Sequence, residues 1–188
     1  PNHKLVTERG LIKVEHLLEQ DRLILMGLPE SGPKEKTYSD SFVELAGWLI
    51  TEGCYDVSGG KENISDISKL RRISIYQNVG IKADHIRDCL NKLDYTFSEG
   101  IRGKNIDFAI CRRDSKKLHA IFPEKNLTMP FILALTASQR ELLLDTMIDG
   151  DGWRVGKHRR YVQKDKGHVD LFQSLCALSG HRTNIHYK

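Results

Sequence analysis

Leu45-Ala46-Gly47-Trp48-Leu49-Ile50-Thr51-Glu52-Gly53 and, 99 residues further on, Leu144-Asp145-Thr146-Met147-Ile148-Asp149-Gly150-Asp151-Gly152 share one pattern: an acid at the eighth place and glycine at the ninth. Each nonamer follows a helix-start signature. Ser41 with Glu44 forms a capping box before Leu45 to Ile50, and Ser138 with Glu141 does the same before Leu142 to Ile148. The expectation is two helices that stop at Gly53 and Gly152. Small residues recur four apart, Gly47 with Thr51 and Thr146 with Gly150, so each helix carries a slim stripe through which two backbones can approach closely.

An acid is an odd choice at these places. The helix macrodipole is negative at a C-terminus and disfavours a carboxylate there by roughly 0.3 to 1 kcal/mol. If the helices pack side by side, Glu52 and Asp151 also meet and repel, which raises a pKa unless a cation intervenes. Two carboxylates completed by water suit Mg²⁺ (or Mn²⁺), and that metal with phosphate oxygens performs phosphodiester cleavage. A lone acid-glycine pair is ordinary turn chemistry, whereas two matching nonamers in a repeated unit are not. An EF-hand loop at Asp149 to Gly152 would need Asp or Asn at 153 and Gly at 154, where Trp153 and Arg154 stand.

Outward from the motifs, the chain reads as helix, strands, helix, strands, helix, and then begins again. Arg71 to Asn78 alternates Ile73, Ile75 and Gln77 with Arg72, Ser74, Tyr76 and Asn78, a strand with one dry and one wet face. A helix over Lys82 to Leu93, strands at Tyr95 to Glu99 and Asn105 to Arg112, and a helix near Ser115 to Phe122 complete the first unit. The second offers a strand at Arg160 to Lys164, a helix at Val169 to Leu178 and a strand at Arg182 to His186. By the template of the first unit, it lacks at least one strand and a closing helix. The organisation expected is a small β-rich segment over 1–26, a linker over 27–40 rich in Gly, Pro and charge, and an α/β (α+β) domain over 41–188 with halves 41–122 and 138–188. The β-rich segment comprises Lys4 to Thr7, Leu11 to Val14 and Leu23 to Met26, with one helical turn at Glu15 to Glu19.

Composition narrows the partners. The 188 residues carry a net charge of +4, which mildly favours a polyanion. Two basic clusters, Lys69, Arg71, Arg72 and Arg154, Lys157, His158, Arg159, Arg160, each follow an acidic-glycine motif. Cys54, Cys89, Cys111 and Cys176 are scattered and form no CxxC pair, and the histidines form no HExxH, so neither a zinc site nor a disulfide framework is indicated. No apolar run approaches the roughly 20 residues needed to span a bilayer, and no signal peptide stands at the start. A cytoplasmic, DNA-associated protein is the expectation.

The paired nonamers, in a repeat covering 41–188, resemble those of the LAGLIDADG homing endonucleases. Trp48, Thr51 and Glu52 replace commoner letters in the first, and Asp145 and Thr146 depart from Ala and Gly in the second; Asp145 must face away from the helix interface for the packing to hold. The resemblance implies a pseudo-twofold fold, monomeric, whose two antiparallel sheets form a saddle over double-stranded DNA. It implies divalent metal at Glu52 and Asp151, each acid serving the cut of one strand. It also implies a lysine before the second motif, followed by proline, which Lys125 and Pro130 match across a wider gap. Lys125 would stabilise developing charge or position water. Gln77, with Gln163 as its counterpart, resembles a polar residue beside the metal. Arg71, Arg72, Ser74, Tyr76, Asn78, Arg159 and Arg160 would read bases or grip phosphates.

A second resemblance lies in Pro1-Asn2-His3-Lys4-Leu5-Val6-Thr7, Gly10 and Val14 to Asp21, which is similar to a conserved splicing block of inteins, with His3 at its histidine. The upstream nucleophile, the His-Asn ending and the following nucleophile have no match. The function these signs imply is a site-specific, metal-dependent DNA endonuclease. The alternatives are a non-catalytic nucleic-acid binder using the same saddle, or the decayed endonuclease part of a splicing intein.

Overall fold

The two motif helices are long, adjacent and parallel, and everything else is arranged around them. In the computed structural model, which describes residues 4–7, 9–23, 32–156 and 158–186, helix α1 spans Asp40–Glu52 and ends at Gly53. Its caps differ from expectation: Ser39, not Ser41, accepts the Phe42 amide at 3.2 Å. The second motif helix also starts earlier than Ser138. It is Ala137–Asp151, designated α5 below, and its capping box is formed by Thr136 and Gln139. In both cases a hydroxyl residue two positions upstream has the extended backbone that an N-cap needs. Nine residues of α1 are buried, on all its faces, so it is the central post of the core.

The first half wraps this post with an antiparallel sheet. After α1 the chain turns directly into β3 (Gly53–Val57), a strand the sequence reading omitted, following β1 (Lys4–Thr7) and β2 (Gly10–Lys13) of the N-terminal hairpin. There follow β4 (Leu70–Asn78), α2 (Ile81–Lys92), β5 (Phe97–Arg102), β6 (Asn105–Ile110), α3 (Arg112–Ile121) and α4 (Met129–Leu133). The sheet order is β3-β4-β6-β5. Leu70, Ile73, Ile75, Ile106, Phe108 and Ile110 are buried on its inner face. The alternation expected of β4 holds, except that Ser74, on the outer face, is covered to 4% exposure between its cross-strand neighbours Cys54 and Ala109. Arg112 belongs to α3 rather than to a strand, and β5 ends at Arg102 rather than Glu99.

The second half repeats the opening of the first. α5 turns at Gly152 into β7 (Gly152–Val155), which pairs with β8 (His158–Tyr161), and α6 (Lys166–Leu178) follows. The strand expected at 160–164 therefore lies earlier, and 182–186 carries no strand. At the N-terminus, a single bridge from Thr7 to Leu23 and a 3-10 turn at Val14–His16 accompany the hairpin. Residues expected to be linker are partly fixed. Tyr38 stacks on Phe42 with ring centroids 5.1 Å apart, and its carbonyl accepts from Gln139 Nε2 at 2.7 Å, which ties this stretch to the start of α5.

Candidate metal and nucleic-acid site

The slim stripes meet as their spacing requires. A Cβ on Gly47 would lie 2.7 Å from Thr146 Cγ2, and one on Gly150 would lie 2.2 Å from Thr51 Oγ1. Residues 47 and 51 of α1 thus face 146 and 150 of α5, their equivalents in the repeat, and at each level one helix supplies glycine where the other supplies threonine. Thr51 is further held by donating its hydroxyl to the Gly47 carbonyl at 3.0 Å. Parallel helices in this register bring their C-terminal acids to one end. Asp145 faces the other way, toward β7 and β8: it accepts from Arg154 at 2.9 Å and Arg159 at 3.2 Å, so its departure from a small residue does not disturb the crossing.

Glu52 and Asp151 are both half-buried. Burial raises the pKa of each above the usual carboxylate range, and the charge of Asp151 pushes Glu52 further up. Gln77, at the end of β4 on its inner face, donates to Glu52 Oε1 at 3.4 Å, and Gln163, just past β8, donates to Asp151. Lys125 lines the cleft beside Asp151 and exerts its charge on both acids, more on Asp151 than on Glu52. Its backbone is left-handed (φ 53°), a conformation disfavoured for a residue with a side chain, and its Nζ donates to the carbonyl of Thr51 at 3.2 Å. Burial lowers its pKa, while the charges of Asp151 and Glu52 pull it back up. Pro130 sits in the first turn of α4, where its missing N–H costs nothing.

Two further groups at this site escaped the sequence reading. Lys82, in the first turn of α2, donates to the Asp149 carbonyl near the end of α5 and exerts its charge on Glu52. His168, in the first turn of α6, lines the cleft formed by Thr51, Lys125, Asp151 and Gln163. The signal that finds them is the register of the repeat, since Lys82 and His168 coincide when counted from the matched pairs Gly53–Ile75 and Gly152–Tyr161.

The donor set fits a hard divalent cation. Two carboxylates whose charged forms are disfavoured by burial and mutual repulsion gain from a cation placed by them. Among the described residues no group of three or more His, Cys, Asp and Glu side chains could hold a metal. The remaining coordination would come from water and substrate oxygens, which suits Mg²⁺ or Mn²⁺ better than a caged structural ion.

The outer face of the first sheet forms a groove lined by Asp56, Lys61, Arg72, Ser74 and Tyr76. Tyr76 and Asn78 are exposed, and Arg71 and Arg72 each lie 3.8 Å from Asp56. In the second half, Arg160 is on the corresponding face, its guanidinium 5.7 Å from the Trp153 ring centroid. Arg159 is not. It occupies the register position that Ile73 has in the first half and is exposed, with its guanidinium paired to Glu141 (3.4 Å) and Asp145. Arg154, its cross-strand partner, is likewise paired with Asp145 and Asp149. His3 and Lys157 lie outside the described residues.

Two parallel helices crossing at their small residues, with an antiparallel sheet after each, define the LAGLIDADG homing endonuclease fold. Among solved structures, the chain is similar to the crystal structure of I-DmoI in complex with DNA and Mn, with a TM-score of 0.57 and 13% identity over 78% of this chain and 81% of that one. It is also similar to I-DmoI in complex with DNA and Ca, with a TM-score of 0.52 and 12% identity over 73% and 70%. Mesophilic variants of the homing endonuclease I-DmoI give 0.53 and 12% over 73% and 75%. At such identities the likeness carries the fold alone. No protein-family model and no curated protein sequence matches the chain. No described helix is long and apolar enough to cross a membrane.

Proposed function

We propose that this protein is a site-specific double-stranded DNA endonuclease that uses a divalent metal, Mg²⁺ or Mn²⁺, at Glu52 and Asp151. The observation that carries the reading is the convergence of these two half-buried carboxylates at the C-terminal ends of α1 and α5. It is electrostatically unfavourable for the apo fold and sensible for a cation-dependent site. The similarity to structures of I-DmoI with DNA and Mn or Ca supports it.

In this reading the bound metal would polarise the scissile phosphate and activate water. The protein's own groups have separate tasks. Gln77 and Gln163 orient one carboxylate each. Lys125 would hold a proton at Nζ in the cleft beside Asp151, where negative charge develops on the phosphate oxygens. Arg71, Arg72 and Arg160 would contact phosphates, and Ser74, Tyr76 and Asn78 would lie along base edges. The single chain would act as a monomer, each half serving one strand. The motif letters and the N-terminal similarity support an intein-encoded origin as the finer assignment, with His3 as the remnant of a splicing site.

The test is cleavage of a plasmid library carrying a randomised insert, with Mg²⁺, followed by sequencing of the cut ends. The expected result is a long consensus site, absent with EDTA and absent from the E52Q/D151N double variant. Selective retention of insert sequences without cut ends would instead establish a binder that does not cleave.

A further inference from the structure

Ile106, Phe108 and Ile110 of β6 are buried on the inner face of the first sheet, so the alternating residues Asn105, Asp107 and Ala109 stand on the outer face. Asp107 is half-buried in the interior of that face. Its cross-strand neighbours are Tyr76 on β4 and Gly100 on β5. A Cβ on Gly100 would lie 3.2 Å from Asp107 Cγ and would collide with its Oδ1. The carboxylate therefore lies across the sheet, in the notch that the missing side chain of Gly100 leaves.

Its charge is not offset by a partner. Asp56, on the same face, has Arg71 and Arg72 each at 3.8 Å. Asp107 has no ion pair and no side-chain hydrogen bond among the described residues. A carboxylate on a face that meets a polyanion is repelled by the phosphates whatever the sequence, and this one gives the fold no pairing in return. It becomes favourable only against a base edge that offers a donor, and it rejects edges that do not. In the major groove the donors are cytosine N4 and adenine N6, whereas guanine and thymine present acceptors. Adenine sets its N7 acceptor beside N6, where it opposes a carboxylate oxygen; cytosine offers no acceptor of its own there.

We propose that Asp107 is a specificity-determining residue, which accepts a hydrogen bond from the N4 amino group of one cytosine in the half-site covered by the first sheet, with Gly100 as the residue that positions its carboxylate. The inference rests on the DNA-endonuclease reading given above and names one base pair of its target.

Binding selection from a randomised duplex pool tests it, with the full chain carrying E52Q and D151N so that bound DNA stays intact. The expected result is a consensus in which one C·G pair, preferred about tenfold or more over the other pairs, depends on Asp107. Asp107→Ala should erase the preference at that position and leave the rest of the consensus in place. Asp107→Asn should move it to A·T, because an amide supplies both the acceptor for N6 and the donor for N7. Gly100→Ala should weaken it severalfold, since the new methyl group displaces the carboxylate while the acid itself is retained. A structural role for Asp107 would not change one base preference alone. A consensus identical in the parent and in Asp107→Ala, or a preference lost at a pair other than C·G, would overturn the inference and leave the endonuclease reading standing. No sequence selection at all by the E52Q/D151N chain would overturn both this inference and the site-specific part of that reading.

Discussion

Replacing Gly150 with alanine adds one methyl group at the tightest point of the helix crossing. The new carbon would lie 2.2 Å from Thr51 Oγ1, 2.5 Å from its Cβ and 2.9 Å from its Cγ2. Ordinary carbon contacts are about 3.5 to 4.0 Å. The backbones must therefore separate by about 1 Å, or Thr51 must give up its bond to the Gly47 carbonyl. Overpacking of this kind costs about 1 to 3 kcal/mol. Alanine returns some of that through its helix propensity, at most about 1 kcal/mol and less in a last turn. The net expectation is a loss of about 1 to 2 kcal/mol, at the higher end because Thr51 Cβ belongs to a short branched side chain on a buried helix. Urea unfolding gives the assay: the midpoint should fall with the slope unchanged. Combining Gly150→Ala with Thr51→Gly transfers the knob from one helix to the other, so the double variant should be more stable than the sum of the singles. An alanine variant as stable as the parent, or strictly additive singles, would refute the view that this contact sets the crossing.

Glu52 and Asp151 give a pH-dependent prediction. Their folded pKa values lie above the ordinary carboxylate values, so the native state holds protons that the unfolded chain has released, and stability falls as pH rises through that window. E52Q should therefore raise the melting temperature at pH 7 in the absence of metal, and the gain should vanish below about pH 4, where the carboxyl is protonated in both states; a gain that is constant with pH would contradict it. The two neighbouring arginines of β8 separate binding from folding. Arg160→Ala should weaken DNA binding and flatten its salt dependence by up to about 0.9 log unit per lost phosphate contact, measured by titration at several salt concentrations. Arg159→Ala should leave that slope intact and instead lower stability by removing a partner from Glu141 and Asp145; the reverse outcome would reassign the faces of the hairpin.

The helices and their C-terminal ends were legible because a glycine following an apolar run marks a helix stop. The crossing residues were legible for a related reason, since only small side chains at a spacing of four allow it. The caps were misread by two residues because Ser41 and Ser138 look like N-caps locally, while Ser39 and Thr136 hold the extended backbone. The short strands β3 and β7 were invisible to periodicity. Each follows its helix without a turn residue other than the terminating glycine, and Cys54, Tyr55 and Asp56 alternate only weakly. Arg159 illustrates a different limit. An arginine in a basic run is indistinguishable from its neighbours until the register and its ion pairs with Asp145 and Glu141 set it apart. Lys82 and His168 needed the register too, because nothing in their local sequence relates them.

Asp145, Arg154 and Arg159 also bear on how the site meets its target. These ion pairs consume positive charge on the side of the second hairpin that faces α5, and they leave Arg160 on the open face. The first sheet keeps Arg71 and Arg72 exposed, partly offset by Asp56. Positive charge thus lies on the sheets, whereas the ends of α1 and α5 gather two carboxylates and two helix C-termini at one place, offset in part by Lys82 and Lys125. A polyanion drawn to the sheets would be attracted at its flanks and repelled at its centre. A dication at the two acids removes that central repulsion, and it does so where the phosphates to be cut would lie. Under the proposed function, the same cation that enables hydrolysis would also permit close approach of the DNA to the middle of the saddle, so binding and catalysis share one electrostatic requirement.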